Sequence, residues 1–148
     1  MLGELTDREI DEVLRSEMIG RIGCVADGWP YVVPVTYVYD GESDSVYLHS
    51  GEGLKLRAMR DDPRVCFEVE QIRGAREWRT VVARGRFEPL WRDANNAMMN
   101  LLAARFTSTA PSASATLGRD EGRRFSGPER PAIYRLRFVE KTGRFEAS

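Results

Sequence analysis

Apolar residues recur along this chain with two different periods, and the switches between them mark out its elements. Leu5, Ile10, Val13 and Leu14 lie on one face of a 3.6-residue period. With the capping box Thr6-x-x-Glu9 at its start, this predicts a helix over residues 7–16. Residues 19–26 then read as a strand, Asp27-Gly28 as a hairpin turn, and residues 31–39, dense in Val, Thr and Tyr, as the return strand. That second strand is apolar on both sides, with Val33, Val35, Tyr37 and Tyr39 on one and Val32, Pro34 and Val38 on the other. A strand without a polar face has to be covered twice.

Asp40-Gly41 opens another turn, and residues 46–49 form a short strand that runs into Ser50-Gly51-Glu52-Gly53. Leu54, Leu56, Ala58 and Met59 predict a second helix, stopped by Pro63. Alternation returns at Val65, Phe67 and Val69, and again over residues 78–90, where Val81, Ala83, Gly85 and Phe87 oppose Arg84, Arg86 and Glu88. Residues 91–106 have helical spacing, residues 107–130 have no period and read as a long loop or lid, and residues 133–138 form a last strand. Six strands with antiparallel turns and three helices predict a mainly β fold, a barrel carrying helices, in one domain over residues 1–148.

Charge narrows the function. The formal net charge is −1, so there is no overall field to hold a nucleic acid, and none is expected as a partner. No apolar run approaches the ~20 residues that span a bilayer, and the opening residues form an acidic amphipathic stretch, so no membrane association and a cytoplasmic location are expected. Cys24 and Cys66 fall in strand-like stretches without CxxC spacing, and are expected to be buried thiols. A single histidine, His49, leaves no multi-histidine metal site, and no metal is expected.

Of the 22 basic residues only Lys55 and Lys141 are lysine. Lys55 stands in the first turn of the second helix, where a cation works against the helix dipole unless an anion sits beside it. His49, Ser50 and Gly51 end the strand just before that turn, so imidazole, hydroxyl and close-approach glycine converge on the unpaired N–H groups of a helix start. Such an arrangement binds phosphate. A Ser-Gly-x-Gly turn is also an ordinary helix cap, and spacing alone leaves both readings open.

The order of several motifs carries more. Gly20-Arg21-Ile22-Gly23, Pro30-Tyr31-Val32-Val33-Pro34-Val35-Thr36-Tyr37, Tyr47-Leu48-His49-Ser50-Gly51 with Lys55, Pro63-Arg64-Val65-Cys66-Phe67, Trp78-Arg79-Thr80-Val81 with Gly85, and Ala132-Ile133-Tyr134-Arg135-Leu136 follow one another along the chain. Together they resemble the pyridoxamine 5'-phosphate oxidase-like FMN-binding split barrels, and within them the nitroimidazole-resistance-type branch.

That resemblance implies a six-stranded antiparallel split β-barrel and a homodimer with FMN in clefts between the subunits. It implies that Val33, Pro34, Val35 and Thr36 lie along the flavin ring, that His49, Ser50, Gly51 and Lys55 hold its phosphate, and that Trp78 and Arg79 approach from the partner chain. The implied activity is that of a flavin-dependent oxidoreductase acting on nitro or other electron-poor small molecules, with no catalytic side chain required. A deazaflavin or haem in the same fold are the alternatives, the latter with His49 as its imidazole and a binding rather than catalytic role.

Overall fold

Thr6 and Glu9 form their capping box in the computed structural model, which describes residues 1–50, 53–90 and 132–148. The Glu9 backbone N–H donates to the Thr6 hydroxyl at 3.2 Å, and the Thr6 N–H donates to the Glu9 carboxylate at 3.0 Å. Helix α1 (Asp7–Ser16) begins there and buries Ile10, Val13 and Leu14. The second helix, α2 (Leu54–Asp61), likewise lies where the apolar spacing predicts it.

Among the described residues eight strands are present where six were expected: β1 (Leu2–Glu4), β2 (Ile19–Ala26), β3 (Trp29–Thr36), β4 (Val38–Asp40), β5 (Ser45–Ser50), β6 (Arg64–Gly74), β7 (Glu77–Pro89) and β8 (Ala132–Glu146). The two additions have separate causes. β1 is too short to show a period, and exists because β8 runs on past Phe138 to Glu146 and offers Leu2, Gly3 and Glu4 a partner. The expected strand 31–39 is interrupted at Tyr37, which is fully buried; its hydroxyl donates to the Leu14 carbonyl at 2.8 Å and its N–H to the Met18 carbonyl at 3.0 Å. Those bonds tie the end of α1 to the break. The expected helix 91–106 and loop 107–130 lie outside the described residues.

Strand order explains the shape. The sheet runs β3-β2-β6-β7-β8-β5-β4, antiparallel throughout, so β3 and β4 stand at its opposite ends. Thr36 ends β3 and Val38 starts β4, and two residues of chain span at most about 7 Å. The sheet must therefore curl until its ends meet, giving an antiparallel barrel left split between β3 and the β4–β5 hairpin. The β2–β3 hairpin itself turns on Asp27 (φ 53°) and Gly28 (φ 78°), the paired left-handed residues that a two-residue turn requires.

Inside the barrel, Ile22, Tyr37, Leu48, Phe67, Val69, Val81 and Leu136 meet Val13 and Leu14 of α1 and Leu56 and Met59 of α2. Gly85 marks the shift in register between β7 and β8, where a Cβ would run into the Arg137 carbonyl. One cysteine departs from expectation. Cys24 is buried, whereas Cys66 is exposed, because Val65 and Phe67 take the inward positions of β6 and alternation turns Cys66 outward, opposite Gly23.

Candidate functional site

Helix α2 begins without a side-chain cap. Gly53 precedes it in extended backbone, no acidic residue stands in its first turn, and Lys55 does. The unpaired N–H groups of that turn and the Lys55 ammonium make the junction between β5 and α2 locally positive. Burial pushes the Cys24 thiol above its ordinary range, and the charge of Lys55 partly opposes that.

The same junction adjoins the split. His49 and Ser50 close β5, opposite Ile133 and Ala132 of β8. The β4–β5 register sets Val38 opposite Tyr47, and continuing it along the chain brings the end of β3 alongside His49; β3 does touch β5 across the split. Among the described residues β3 is hydrogen-bonded to one neighbouring strand, β2. Val33 and Val35 pack inward against the core, Pro34 faces outward, and Thr36 is partly buried. The structure thus brings Val33, Pro34, Val35, Thr36, His49, Ser50 and Lys55 to the two sides of one opening. Gly51 lies outside the described residues.

Trp78 and Arg79 do not join them within one chain. They sit at the start of β7, where Trp78 pairs with Glu146, whereas the end of β7, at Pro89 opposite Tyr134, is the part near His49. Eleven residues of extended strand separate the two, about 36 Å. The Trp78 indole N–H donates to Glu146 at 3.2 Å, and Arg79 lies 3.8 Å from both Glu9 and Glu12 of α1. With Gln71 and Phe145 they line a cavity of about 280 Å³.

The outward face of β3 and β2, with Val139 of β8 nearby, is unusually apolar for a free surface. Ile19 is 56% exposed, Val32 66% and Val139 71%, with Pro30 and Pro34 beside them. The doubly apolar strand of the sequence is therefore covered once, by the core, and left open on its other side. In the same face Arg21 bridges Glu70 at 2.7 Å and Glu68 at 3.4 Å, and the Thr80 hydroxyl donates to Glu68 at 3.1 Å.

Withdrawal from water, and then the hydrogen bond shared with Glu70, raise the Glu68 carboxyl above the ordinary carboxylate range. An acid that holds its proton more tightly folded than unfolded stabilises the fold at low pH, and that contribution is lost as pH rises through its folded value. Glu68→Gln should therefore raise the melting temperature by about 1–3 °C at neutral pH, with the gain shrinking towards pH 4. Thermal unfolding across that range checks it; a gain that is the same at both ends would show that the proton on Glu68 plays no part.

Sequence reasoning did not find a row of outward arginines, Arg64, Arg86 and Arg137, on β6, β7 and β8. The alternation of Arg84 and Arg86 was visible in the sequence, but their neighbours were set by register. Among the described residues no helix is long and apolar enough to cross a membrane, and no group of three or more His, Cys, Asp or Glu is placed to hold a metal ion.

Comparison with known proteins agrees with this architecture. A FAD-binding protein of Mesorhizobium loti superposes with a TM-score of 0.80 at 26% identity, covering 100% of this chain and 98% of that one. A candidate 5-nitroimidazole antibiotic resistance protein of Bacteroides thetaiotaomicron shares the fold, with a TM-score of 0.68 at 16% identity over 98% of this chain and 87% of that one. An uncharacterised protein of Rhizobium meliloti (strain 1021) is 31% identical over 86 residues, 58% of this chain and 56% of its own length. Residues 6–145 match the sequence model of the family described as pyridoxamine 5'-phosphate oxidase, and the chain belongs to that family.

Proposed function

We propose that two copies of this chain enclose a flavin at the split of each barrel and use it for oxidoreductase chemistry on electron-poor small molecules such as nitro compounds. The observation that carries this reading is the uncapped, cationic start of α2 beside the open edge of β3. A phosphate meets backbone N–H groups and Lys55 at the first. At the second, the backbone groups of Val32 and Thr36 and the Pro34 carbonyl point away from β2 and are matched to the polar edge of a flavin ring, while Val33 and Val35 bond to Ile22 and Gly20 of β2 and keep their side chains in the core.

Support for the pairing of chains comes from two separate features. The exposed apolar face around Val32 is of the kind that marks an interaction site. Trp78 and Arg79 lie too far along β7 to reach their own chain's opening, so a role in binding the flavin needs a second copy to present them. FMN is the form for which these residues account, since Lys55 and its helix turn provide for one phosphate. The Mesorhizobium relative is described as binding FAD, which agrees with a flavin in this fold.

Within the site the residues bind and orient. Lys55 neutralises the anionic tail, the strand edge of β3 fixes the plane of the ring, and the covering apolar face excludes water from one side of it. The flavin, when bound, supplies hydride transfer at its N5 position, so no acid, base or nucleophile of the protein is needed for the central step.

Purified protein should be yellow, show flavin absorption bands, and sediment with the mass of two chains. Colourless protein that takes up no added FMN would overturn the cofactor, and a flavin-loaded single chain would overturn the pairing.

A further inference from the structure

Arg79 is held differently from the other partly buried arginines of the sheet. Arg21, equally exposed, grips Glu70 at 2.7 Å, and Arg135 grips Glu88 at 2.5 Å. Arg79 lies 3.8 Å from both Glu9 and Glu12 of α1, too far for a hydrogen bond, and among the described residues its guanidinium donates none. Its charge is therefore compensated, while its planar fork of N–H donors is left to meet an acceptor. Gln71 and Phe145 are its direct neighbours across β6 and β8.

All three residues line the cavity of about 280 Å³ at this end of the barrel, together with Trp78. Its aromatic walls are fixed in place. The Trp78 indole is tethered to Glu146 at 3.2 Å, and the Phe145 ring fills the space that a side chain at Gly3 would need. Sites for drug-sized ligands run from about 300 to 1,000 Å³, so this volume suits a single substituted ring. The lining sets two cations, Arg73 and Arg79, against three carboxylates, Glu9, Glu77 and Glu146. Hydrogen bonds from Thr6, its backbone N–H above all, hold the Glu9 carboxyl below its ordinary range, so that charge persists at neutral pH. An anion entering the cavity meets this excess of negative charge. An uncharged group with two acceptor oxygens meets the Arg79 fork and adds none.

We propose that this cavity receives the substrate, a planar uncharged ring bearing paired acceptor oxygens such as a nitro group, and that the chain supplying the cavity is not the one holding the flavin. The inference rests on the reading above, in which a second copy presents Trp78 and Arg79 to the flavin. A cavity lined by those two residues then opens onto the flavin ring. One chain holds the cofactor through Lys55 and the other holds the substrate through Arg79, so neither copy carries a complete site. The same carboxylates turn away phosphorylated and carboxylated rings, although the description of the family names a phosphorylated compound. In the reaction the nitro group takes two electrons and two protons from the fully reduced flavin. One N–O bond breaks, the oxygen leaves as water, and the nitroso compound remains.

The test mixes flavin-loaded protein, photoreduced without oxygen, with para-nitrobenzamide or para-nitrobenzoate, and follows the return of the oxidised flavin band. Wild-type protein should half-saturate with the amide at a concentration at least about tenfold below that for the acid, as a like charge in the site implies. Glu9→Gln with Glu146→Gln should bring the two within about threefold, because glutamine keeps the cap on α1 and an acceptor for Trp78. Arg79→Ala should weaken the amide about tenfold, with part of the loss recovered by Arg79→Lys. Chains carrying Lys55→Ala and Arg79→Ala, tagged differently and purified as mixed dimers, provide the second arm. At low FMN and low amide, where either parent dimer is nearly inactive, the mixed dimer should regain about half the wild-type rate, since one of its two equivalent sites is intact. An acid that binds as well as the amide, an Arg79→Ala variant with wild-type saturation, or a mixed dimer no faster than its parents would each overturn the inference while leaving the flavin reading intact. Wild-type protein that takes up no flavin would overturn both.

Discussion

Replacing Lys55 with alanine weakens FMN binding by about 1.5–3 kcal/mol, the range of a hydrogen bond to a charged group, or roughly 10- to 150-fold in the dissociation constant. The ammonium stands in the first turn of a helix whose N-cap, Gly53, offers no side chain and whose first turn holds no acid, which is where an anion binds a helix start. Without ligand the same cation opposes the helix dipole. Alanine relieves that opposition and is the better helix former, so the flavin-free protein should melt at or slightly above the wild-type temperature. The two effects have opposite signs, which separates a ligand-binding role from a structural one. Quenching of flavin fluorescence on titration measures the first, and thermal unfolding of the flavin-free protein measures the second. An alanine variant with wild-type affinity and a lowered melting temperature would show that Lys55 supports the fold instead.

The largest effect on the fold is expected at Phe67. Its ring is 1% exposed, meets Tyr37 edge-on with centroids 5.0 Å apart, and stacks on Phe138 at 5.8 Å. It also fills the space that a side chain at Gly20 would need. Phe67 therefore sits where α1, the break between β3 and β4, and the strands β2, β6 and β8 come together. Phe67→Ala should cost about 3–5 kcal/mol, from lost transfer energy and the cavity left behind. Total stability is only about 5–15 kcal/mol for a domain, so the melting temperature should fall by about 10 °C. Phe67→Leu keeps most of the volume and should lose less. Chemical denaturation of both variants checks this order; an alanine variant within 1 kcal/mol of wild type would mean that the barrel interior collapses around the gap, approximately without cost.

Much of this architecture was legible in local patterns, because the forces that set those patterns are local. The Thr6–Glu9 box starts α1 through hydrogen bonds three residues apart. Asp27-Gly28 turns the hairpin because both backbones adopt left-handed angles. Alternation in β6 and β7 follows from the pleat, and it remained readable wherever one side of a strand met the core and the other did not. The order of motifs went further, to a family, and the matched residues 6–145 agree with it.

What the sequence by itself determined, then, is α1, α2, the longer strands with their inward faces and the cationic turn at Lys55, since each depends on residues within a few positions of one another. Only the tertiary structure decided which edges meet and what stands opposite what. Tyr37 divides a strand that looks continuous, because its hydroxyl finds the end of α1. Leu2–Glu4 becomes a strand only because β8 extends far enough to receive it. Trp78 and Arg79 are held far from Lys55 by the length of β7, and Arg64, Arg86 and Arg137 form a row only through the pairing register of three strands. Register is a property of the whole sheet: it is chosen by the fit of all the inward side chains at once, and no segment read alone contains it.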